Sequence, residues 1–313
     1  MKILKILLMS IGLIAIFALS IQAMQVGPST AENEVVSKEN PTGDYNIYAL
    51  KMPENLNLAG EPVPIENPDI YERMDRELLV NTYWQSNALL LIKRAHKYFP
   101  VIEPILKEYG VPDDFKYLSV IESGLTQAVS PAGAIGFWQI MEGTGKDYKL
   151  EINDNVDERY NIEKSTRVAC EYLIASKKRF GTWTMAAAAY NAGNTGVLRQ
   201  LERQEVSNYY DLLLGEETGR YVFRILALKE ILKHPQKYGF NFSEDQLYNN
   251  IPTYTIKVDT PVDNFANFVQ KYDINYKILK LHNPWLREAN LANAKGKMYH
   301  IEIPEKGYYQ SSK

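Results

Sequence analysis

The sequence predicts a mainly α protein, in which a helical domain is followed by a small βααβ module. From residue 69 to about 240, apolar residues recur at three- and four-residue spacings, and no segment alternates like a strand. After Pro252 the two-residue alternation typical of strands begins, and it returns near the C-terminus. The composition, 45% hydrophobic and 23% charged, is that of a globular protein with a substantial core.

The 313 residues exceed the usual size of one domain, so we expect more than one folded unit. The predicted divisions are a signal peptide or N-terminal anchor at 1–24, a proline-rich tether or surface wrap at 25–68, the helical domain at 69–240 and the βααβ module at 252–304.

The first residues have the pattern of a secretory signal. Lys2 and Lys5 precede an apolar run over 6–19 that is shorter than the roughly 20 residues a membrane-spanning helix needs. Ile21 and Met24 can extend this run into an uncleaved anchor, so cleavage and anchoring both stay open. Either alternative predicts a periplasmic or envelope location. No cysteine follows the run, so we do not expect a lipoprotein.

Charge and composition exclude several function classes. A net charge of -3 and a pI near 5.9 disfavour a nucleic-acid partner. The single cysteine, Cys170, cannot form an intramolecular disulfide, and its apolar neighbours predict burial in a helix. The four histidines lie far apart without metal-ligand spacing, so neither a metal nor another cofactor is expected.

The first long helices are predicted beyond Asp69, where leucines recur at helical spacing. Another helix is predicted from Pro112 to Gly124, since proline fits a first turn and glycine a helix end. Within it Phe115, Leu118 and Glu122 share one face. The sequence therefore places Glu122 at the end of an apolar stripe.

Residues 130–145 are rich in glycine and small side chains and predict a structured loop. Further helices are predicted from the positions of glycines that follow apolar periodic segments, at 163–180, 183–191, 194–201 and 217–233.

The C-terminal module is predicted to contain two strands and helices between them. Residues 253–258 alternate like a strand, and 298–303 alternate like a second one. Thr260-Pro261 opens a predicted helix that runs through Gln270.

Glu122 is the candidate for acid chemistry. An ordinary glutamate has a pKa of about 4.3, so about one molecule in 500 is protonated at neutral pH. Apolar walls would raise this pKa toward the value that a general acid needs. The candidate walls are Phe137, Trp138, Met141 and Tyr190. The alternative is a glutamate that points into solvent or caps a turn.

Four ordered motifs stand out along the chain: Glu122-Ser123, the segment 130–141 (SPAGAIGFWQIM), the segment 189–193 (AYNAG) and the segment 217–222 (ETGRYV). Together they resemble the catalytic signature of lytic transglycosylases. The strongest similarity is to the membrane-bound lytic murein transglycosylase D type, in which a goose-lysozyme-like helical domain precedes LysM modules.

The resemblance implies a lysozyme-like fold and a single catalytic acid, matched by Glu122. In this family the acid protonates the oxygen of the β-1,4 bond between MurNAc and GlcNAc. The same residue then acts as the base for the C6 hydroxyl of MurNAc, which closes a 1,6-anhydro ring. Most glycosidases need a second carboxylate. Glu142, Asp147 and Glu151 match no required position, and we predict that they are surface charges.

The resemblance also implies a set of substrate-binding residues. Tyr190 and Asn191 match the pair that orients the glutamate and binds an N-acetyl sugar, and either Phe137 or Trp138 is expected to face a sugar ring while the other packs in the core. The implied set is Ser123, Ser130, Gly136, Gln139, Met141, Tyr190, Asn191, Glu217 and Tyr221.

Several of these matches have structural alternatives. Asn191 precedes the Ala-Gly of a natural helix end, and Glu217 suits the positive end of its own helix. Turn geometry alone would explain Gly136. Ser130 follows Glu122 by eight residues, one fewer than the commoner family spacing.

The C-terminal module resembles a divergent LysM module. The Gly-Asp-Thr turn common in LysM is reduced to Asp259-Thr260, and the segment 283–286 (NPWL) replaces the usual central loop. Glycan binding and a structural or protein-contact role both remain open for it.

The resemblance therefore implies a peptidoglycan lytic transglycosylase whose partners are glycan strands and, through the N-terminal segment, the membrane. A goose-type hydrolytic lysozyme and a catalytically inactive peptidoglycan-binding protein are the alternatives.

Overall fold

The computed structural model describes residues 46–309. The predicted signal or anchor at 1–24 and residues 25–45 of the predicted tether or surface wrap lie outside these residues. None of the helices in the described range combines the length and the apolar character needed to cross a membrane. From Tyr48 onward the described chain belongs to one compact unit.

Residues 46–309 contain ten α-helices and two antiparallel two-stranded sheets. The elements are β1 (Asn57–Leu58), β2 (Glu61–Pro62), α1 (Pro68–Tyr83), α2 (Gln85–Tyr109), α3 (Lys116–Ser123), α4 (Glu142–Asp147), α5 (Ile162–Phe180), α6 (Trp183–Ala192), α7 (Asn194–Gln204), α8 (Glu216–Lys233), β3 (Thr253–Val258), α9 (Phe265–Phe268), α10 (Tyr276–His282) and β4 (Tyr299–Pro304).

Most predicted helix ends fall within one or two residues of the observed ones. Gly181 directly follows α5 and Gly124 directly follows α3, and both glycines adopt the left-handed backbone, with φ of 83° and 62°. The helix predicted at Pro112 begins as a 3-10 turn, Asp113–Phe115, before α3. α7 continues to Gln204, beyond its predicted end at 201.

The hairpin of β1 and β2 lies on the helical domain. Leu58 is completely buried in the main core. The Glu61 carboxylate accepts hydrogen bonds from the backbone N–H groups of Trp183 and Thr184, at 2.6 and 2.8 Å. These are the first residues of α6, so a side chain of the hairpin caps the N-terminus of that helix.

The core of the helical domain surrounds α8, which packs against α1, α3 and α6. Residues 186–189 of α6 are four consecutive buried alanines, and their small side chains allow α6 to lie close to α5 and α8. Cys170 is buried in the same core, as predicted.

A loop over residues 124–141, here called the active-site loop, connects α3 to α4. Short bridges join Val129 to Ile135 and Ile135 to Ile140. The loop prediction for 130–145 holds up to residue 141, after which α4 begins.

Phe137 and Trp138 are both core residues, 2% and 0% exposed. The ring of Phe137 packs edge-on against Tyr98, and Trp138 Nε1 donates to Thr166 Oγ1 at 2.8 Å. The expectation that one of them faces a sugar ring is therefore wrong, because both side chains are used to anchor the active-site loop to the domain core.

The module has the predicted βααβ order. β3 pairs with β4 from Thr253 opposite Pro304 to Val258 opposite Tyr299. The helix predicted from Thr260 to Gln270 is much shorter, because Val262 exchanges backbone hydrogen bonds with Leu291. α9 begins after this pairing, where the Asn264 side chain accepts a hydrogen bond from the N–H of Asn267 at 3.1 Å.

Candidate active site

Glu122 occupies the last turn of α3 and is partly buried. The left-handed Gly124 ends the helix two residues later, so the chain turns away and leaves the carboxylate at the helix end. Leu118, one turn earlier, is fully buried. The predicted apolar stripe is therefore present behind the carboxylate.

Tyr221 contacts Glu122 directly. Its side chain projects from α8, is 2% exposed, and its hydroxyl donates a hydrogen bond to the Glu122 carboxylate. One turn later Arg224 donates from Nη2 to the carbonyl of Ile121, at 3.0 Å. Sequence reasoning missed Arg224, although its spacing of three from Tyr221 places both on one face of a helix.

Burial raises the pKa of Glu122 to about 7. The hydrogen bond from Tyr221 and the charge of Arg224 act in the opposite direction, while the charge of Glu217 adds to the increase. A pKa near 7 leaves about half of the carboxyl groups protonated at neutral pH, which is what a residue needs to act first as an acid and then as a base.

Tyr190 lies beside this carboxylate without bonding to it. Its hydroxyl donates to the Trp138 carbonyl at 2.8 Å. Burial, and secondarily the charge of Glu122, raises the pKa of Tyr190 well above 10. The phenol therefore stays protonated, and it fixes the active-site loop next to the acid.

Asn191 and Glu217 form a polar group between the end of α6 and the start of α8. The Asn191 amide nitrogen donates to Glu217 at 3.1 Å, and its oxygen accepts from Thr218 Oγ1 at 2.7 Å. Sequence reasoning missed Thr218, although it lies within the fourth motif. Glu217 is exposed, so this group presents polar atoms to solvent.

The polar residues of the active-site loop are used largely to hold the loop itself. Ser123 Oγ donates to the Phe137 carbonyl at 3.0 Å, and Ser130 Oγ accepts from the N–H of Ala134 at 2.9 Å. Gln139 Nε2 donates to the carbonyls of Ala128 and Gly136, at 3.1 and 2.9 Å.

Met141 and Gly136 differ in their surroundings. Met141 is 45% exposed at the end of the loop. Gly136 is buried with φ of 79°, and a Cβ there would lie 2.4 Å from the carbonyl oxygen of Arg159. Glycine is therefore required at position 136 because the protein's own backbone lies close to it.

The predicted surface acids are not all alike. Glu142 and Asp147 are exposed, and Glu142 pairs with Lys146 at 2.5 Å. Glu151 is partly buried and bonds to Lys297 and to the Tyr299 hydroxyl, both in the module. The prediction for Glu151 is wrong, because this carboxylate is committed to a contact between distant parts of the chain.

Within residues 46–309, no group of three or more His, Cys, Asp or Glu side chains is arranged to hold a metal ion.

Two family models match the chain. The transglycosylase SLT domain matches residues 100–212, and the soluble lytic transglycosylase C-terminal LysM-like domain matches residues 254–307. The first match ends before α8, the helix that carries Tyr221 and Arg224.

The membrane-bound lytic murein transglycosylase D of Escherichia coli (strain K12) is 29% identical over 247 residues, which are 77% of this chain and 53% of that protein. The chain thus spans about half the length of that relative. A tributyltin chloride resistance protein of Alteromonas sp. (strain M-1), named as putative, is 31% identical over 125 residues, 39% of this chain and 58% of that protein.

Among solved structures, the 70 kDa soluble lytic transglycosylase of Escherichia coli matches 44% of this chain and 24% of its own, with 22% identity and a TM-score of 0.38. This overlap is too limited to support an argument about the site. The two family models and the 29% identity over 77% of the chain carry the assignment. The chain therefore carries an SLT transglycosylase domain at residues 100–212 and a C-terminal LysM-like domain at residues 254–307, and it is homologous to membrane-bound lytic murein transglycosylase D.

Proposed function

We propose that this protein is a peptidoglycan lytic transglycosylase that cleaves the β-1,4 bond between MurNAc and GlcNAc. The observation that carries the proposal is Glu122 in the SLT domain, with a pKa raised by burial to about 7 and a hydrogen bond from Tyr221. One carboxyl group in this state can give up a proton and take one back at the same pH.

In the first step protonated Glu122 donates its proton to the glycosidic oxygen, the C1–O bond breaks, and positive charge develops on the MurNAc ring. In the second step the Glu122 carboxylate takes the proton of the MurNAc C6 hydroxyl while that oxygen bonds to C1. The products are a free GlcNAc hydroxyl and a 1,6-anhydro-MurNAc end, and no water is consumed. The hydroxyl belongs to the ring it attacks, so its effective molarity is high and a second carboxylate is not needed.

The neighbours of Glu122 have distinct roles in this scheme. Tyr221 and Arg224 stabilise the carboxylate between the two steps, since one donates a hydrogen bond and the other supplies positive charge. Tyr190 keeps the active-site loop beside the acid. Asn191 and Glu217 offer the polar edge for an N-acetyl or hydroxyl group.

The remaining proposed substrate-binding residues belong to the active-site loop or border it. Met141 is exposed and can contact a sugar directly, whereas the other residues shape the loop whose backbone faces the glycan. These residues are Ser123, Ser130, Gly136, Gln139 and Met141.

We also propose that the protein acts in the cell envelope, because peptidoglycan lies there. The sequence pattern at 1–24, a signal peptide or an uncleaved anchor, supports this location. The LysM-like domain supports a peptidoglycan partner.

The test is a digestion of isolated peptidoglycan with the purified protein, followed by mass spectrometry of the released fragments. We expect 1,6-anhydro-MurNAc ends. Reducing ends that contain one added water per cut would instead identify a hydrolytic lysozyme of the goose type. Binding without any cut would identify an inactive peptidoglycan-binding protein.

The matched variants are Glu122→Gln and Glu142→Gln, which make the same chemical change at two glutamates. The first should abolish product formation while leaving the fold intact, because glutamine can accept the Tyr221 hydrogen bond but cannot supply a proton. The second should retain activity, since Glu142 is an exposed residue paired with Lys146. Substantial turnover by Glu122→Gln would refute the role of Glu122.

A further inference from the structure

The LysM-like module contacts the helical domain at residues 151–160, here called the connecting segment. The N–H of Asp157 donates to the Trp285 carbonyl at 2.9 Å, and the N–H of Arg287 donates to the Asn155 carbonyl at 2.8 Å. The N–H of Ala292 donates to the Asn155 side chain at 2.6 Å. Backbone groups of the two parts are therefore paired as in a short strand contact.

Apolar packing reinforces these hydrogen bonds. Val156 and Tyr160 of the connecting segment are buried in the same cluster as Trp285 and Leu286 of the module. The guanidinium of Arg287 lies 3.9 Å from the centre of the Tyr160 ring. The hydrophobic core of the module is thus completed by residues of the helical domain.

Charged side chains form ion pairs at the edge of this contact. Lys297 of the module bonds to Glu151 and lies 3.6 Å from Glu158, which is buried. The Tyr299 hydroxyl donates to Glu151 at 2.9 Å. Separation of the two parts would therefore leave Glu151 without its cationic partner, whereas buried Glu158 would keep Lys164.

The connecting segment in turn holds the active-site loop. Arg159 is buried and pairs with Asp157, at 2.7 Å between Nη2 and Oδ2, and its Nη1 donates to the Gly133 carbonyl at 3.3 Å. Gln127 Nε2 donates to the Tyr160 carbonyl at 2.8 Å. Gly136 lies against the backbone of Arg159, as described above.

Ile135 of the active-site loop also packs against the hydrophobic cluster that the connecting segment shares with the module. At its other side the loop is joined to the catalytic centre, where Ser123 donates to the Phe137 carbonyl and Tyr190 to the Trp138 carbonyl. An unbroken series of contacts therefore runs from the module to the turn that carries Glu122.

We propose that the LysM-like module is a positioning element of the active site, which fixes the active-site loop through residues 151–160. The face of the module formed by residues 285–299 is used for this contact. This inference rests on the proposed function for its activity readout, whereas its exchange readout does not depend on that function.

The test uses the full chain with three side-chain contacts of the interface removed together, and a control with the same change in charge at exposed module residues. The interface variant combines Glu151→Ala, Arg287→Ala and Lys297→Ala, and the control variant combines Glu305→Ala, Lys271→Ala and Lys277→Ala.

Hydrogen exchange, followed by mass spectrometry of peptides, should show faster exchange in residues 130–141 of the interface variant. Exchange in α5 and α8 should remain that of the unmodified protein, as should all exchange in the control. Unchanged exchange in the loop would overturn the proposal. Faster exchange spread evenly over the helices would also overturn it, because the contact would then stabilise the whole fold.

Kinetics on a soluble, uncross-linked glycan of defined length provide the second readout. We expect kcat of the interface variant to fall roughly tenfold with KM changed by less than about twofold, because a misplaced loop affects the reacting geometry. A raised KM with unchanged kcat would show that the module binds substrate and does not position the loop. An inactive unmodified protein would refute the proposed function, while the exchange result would still decide this inference.

Discussion

The Tyr221 hydroxyl donates a hydrogen bond to the Glu122 carboxylate, and this bond opposes the burial that raises the pKa of Glu122. Tyr221 comes from α8 and Glu122 from α3, so the packing of these two helices sets the acidity of the candidate catalytic group. The balance between the two effects can be measured.

Tyr221→Phe should move the alkaline limb of the kcat profile to higher pH. In the unmodified protein kcat should fall above about pH 7, because only protonated Glu122 can start the reaction. The lost hydrogen bond stabilised the ionised form, so its removal raises the pKa of Glu122 by roughly one pH unit. Tyr238→Phe removes a similar bond to Glu230 and should leave the limb in place. If the alkaline limb of the kcat profile stayed at the same pH in Tyr221→Phe, the Tyr221 hydrogen bond would not control the pKa of Glu122.

Glu122→Gln should stabilise the protein at alkaline pH. A carboxyl group whose folded pKa is raised binds more protons in the folded state, so the free energy of unfolding falls as pH rises from about 4.5 to 7. After allowance for partial exposure, the variant should gain about 1–3 kcal/mol at pH 8 and almost nothing at pH 4.

Urea unfolding at pH 4, 6 and 8 measures this gain. Glu142→Gln is the control. Pairing with Lys146 lowers the pKa of Glu142, so this substitution should change the free energy of unfolding in the opposite direction. A gain for Glu122→Gln that did not grow with pH would show that ionised Glu122 is not strained in the folded protein.

Gly136→Ala and Gly133→Ala form a matched pair in the active-site loop. Both glycines have positive φ, 79° and 84°, so alanine carries a backbone cost of about 1–2 kcal/mol at each. At Gly136 the new Cβ also meets the Arg159 carbonyl at 2.4 Å, whereas no atom lies within 4 Å of it at Gly133. Gly136→Ala should therefore cost about 1–3 kcal/mol more in chemical unfolding. If both variants lost the same free energy of unfolding, the active-site loop would be free to move away from the Arg159 carbonyl.

Glu61→Gln should weaken the cap on α6. Burial alone would raise the pKa of Glu61, but bonds from the N–H groups of Thr184 and Trp183 hold that pKa below its ordinary value. The stabilisation is present above about pH 4.5 and is lost as pH falls through the lowered pKa. We expect the free energy of unfolding to fall by about 0.5–2 kcal/mol at pH 7 and by less in acid.

The control is Glu54→Gln, at an exposed residue shortly before β1. A loss that did not depend on pH would argue against a charge-assisted cap.

The helices could be predicted because their signals are local. The bounds of α5 follow from apolar periodicity and from Gly181, whose left-handed backbone ends the helix. The catalytic candidate needed more than periodicity, since a glutamate at a helix end is also common on surfaces. The four ordered motifs supplied the missing information, and the structure brings the residues of three of them, Glu122, Tyr190 and Tyr221, together.

The errors arose where distant segments meet. Nothing local in the sequence shows that Gly136 faces the backbone of Arg159, or that Glu151 bonds to Lys297. Phe137 was assigned to a sugar site or the core by analogy, and only the packing of Tyr98 against it decides between them. Arg224 was missed because its role depends on the angle at which α8 crosses α3.

The capping of α6 by Glu61 bears on how this protein can be shortened for study. A fragment limited to residues 100–212, the extent of the SLT match, would lack the carboxylate that caps α6 and the whole of α8. Asn57 also accepts a hydrogen bond from Lys229 at 2.8 Å, so the hairpin and α8 depend on each other. The smallest piece worth expressing therefore begins ahead of the hairpin and continues through α8, so the SLT match is shorter than the folding unit at both ends.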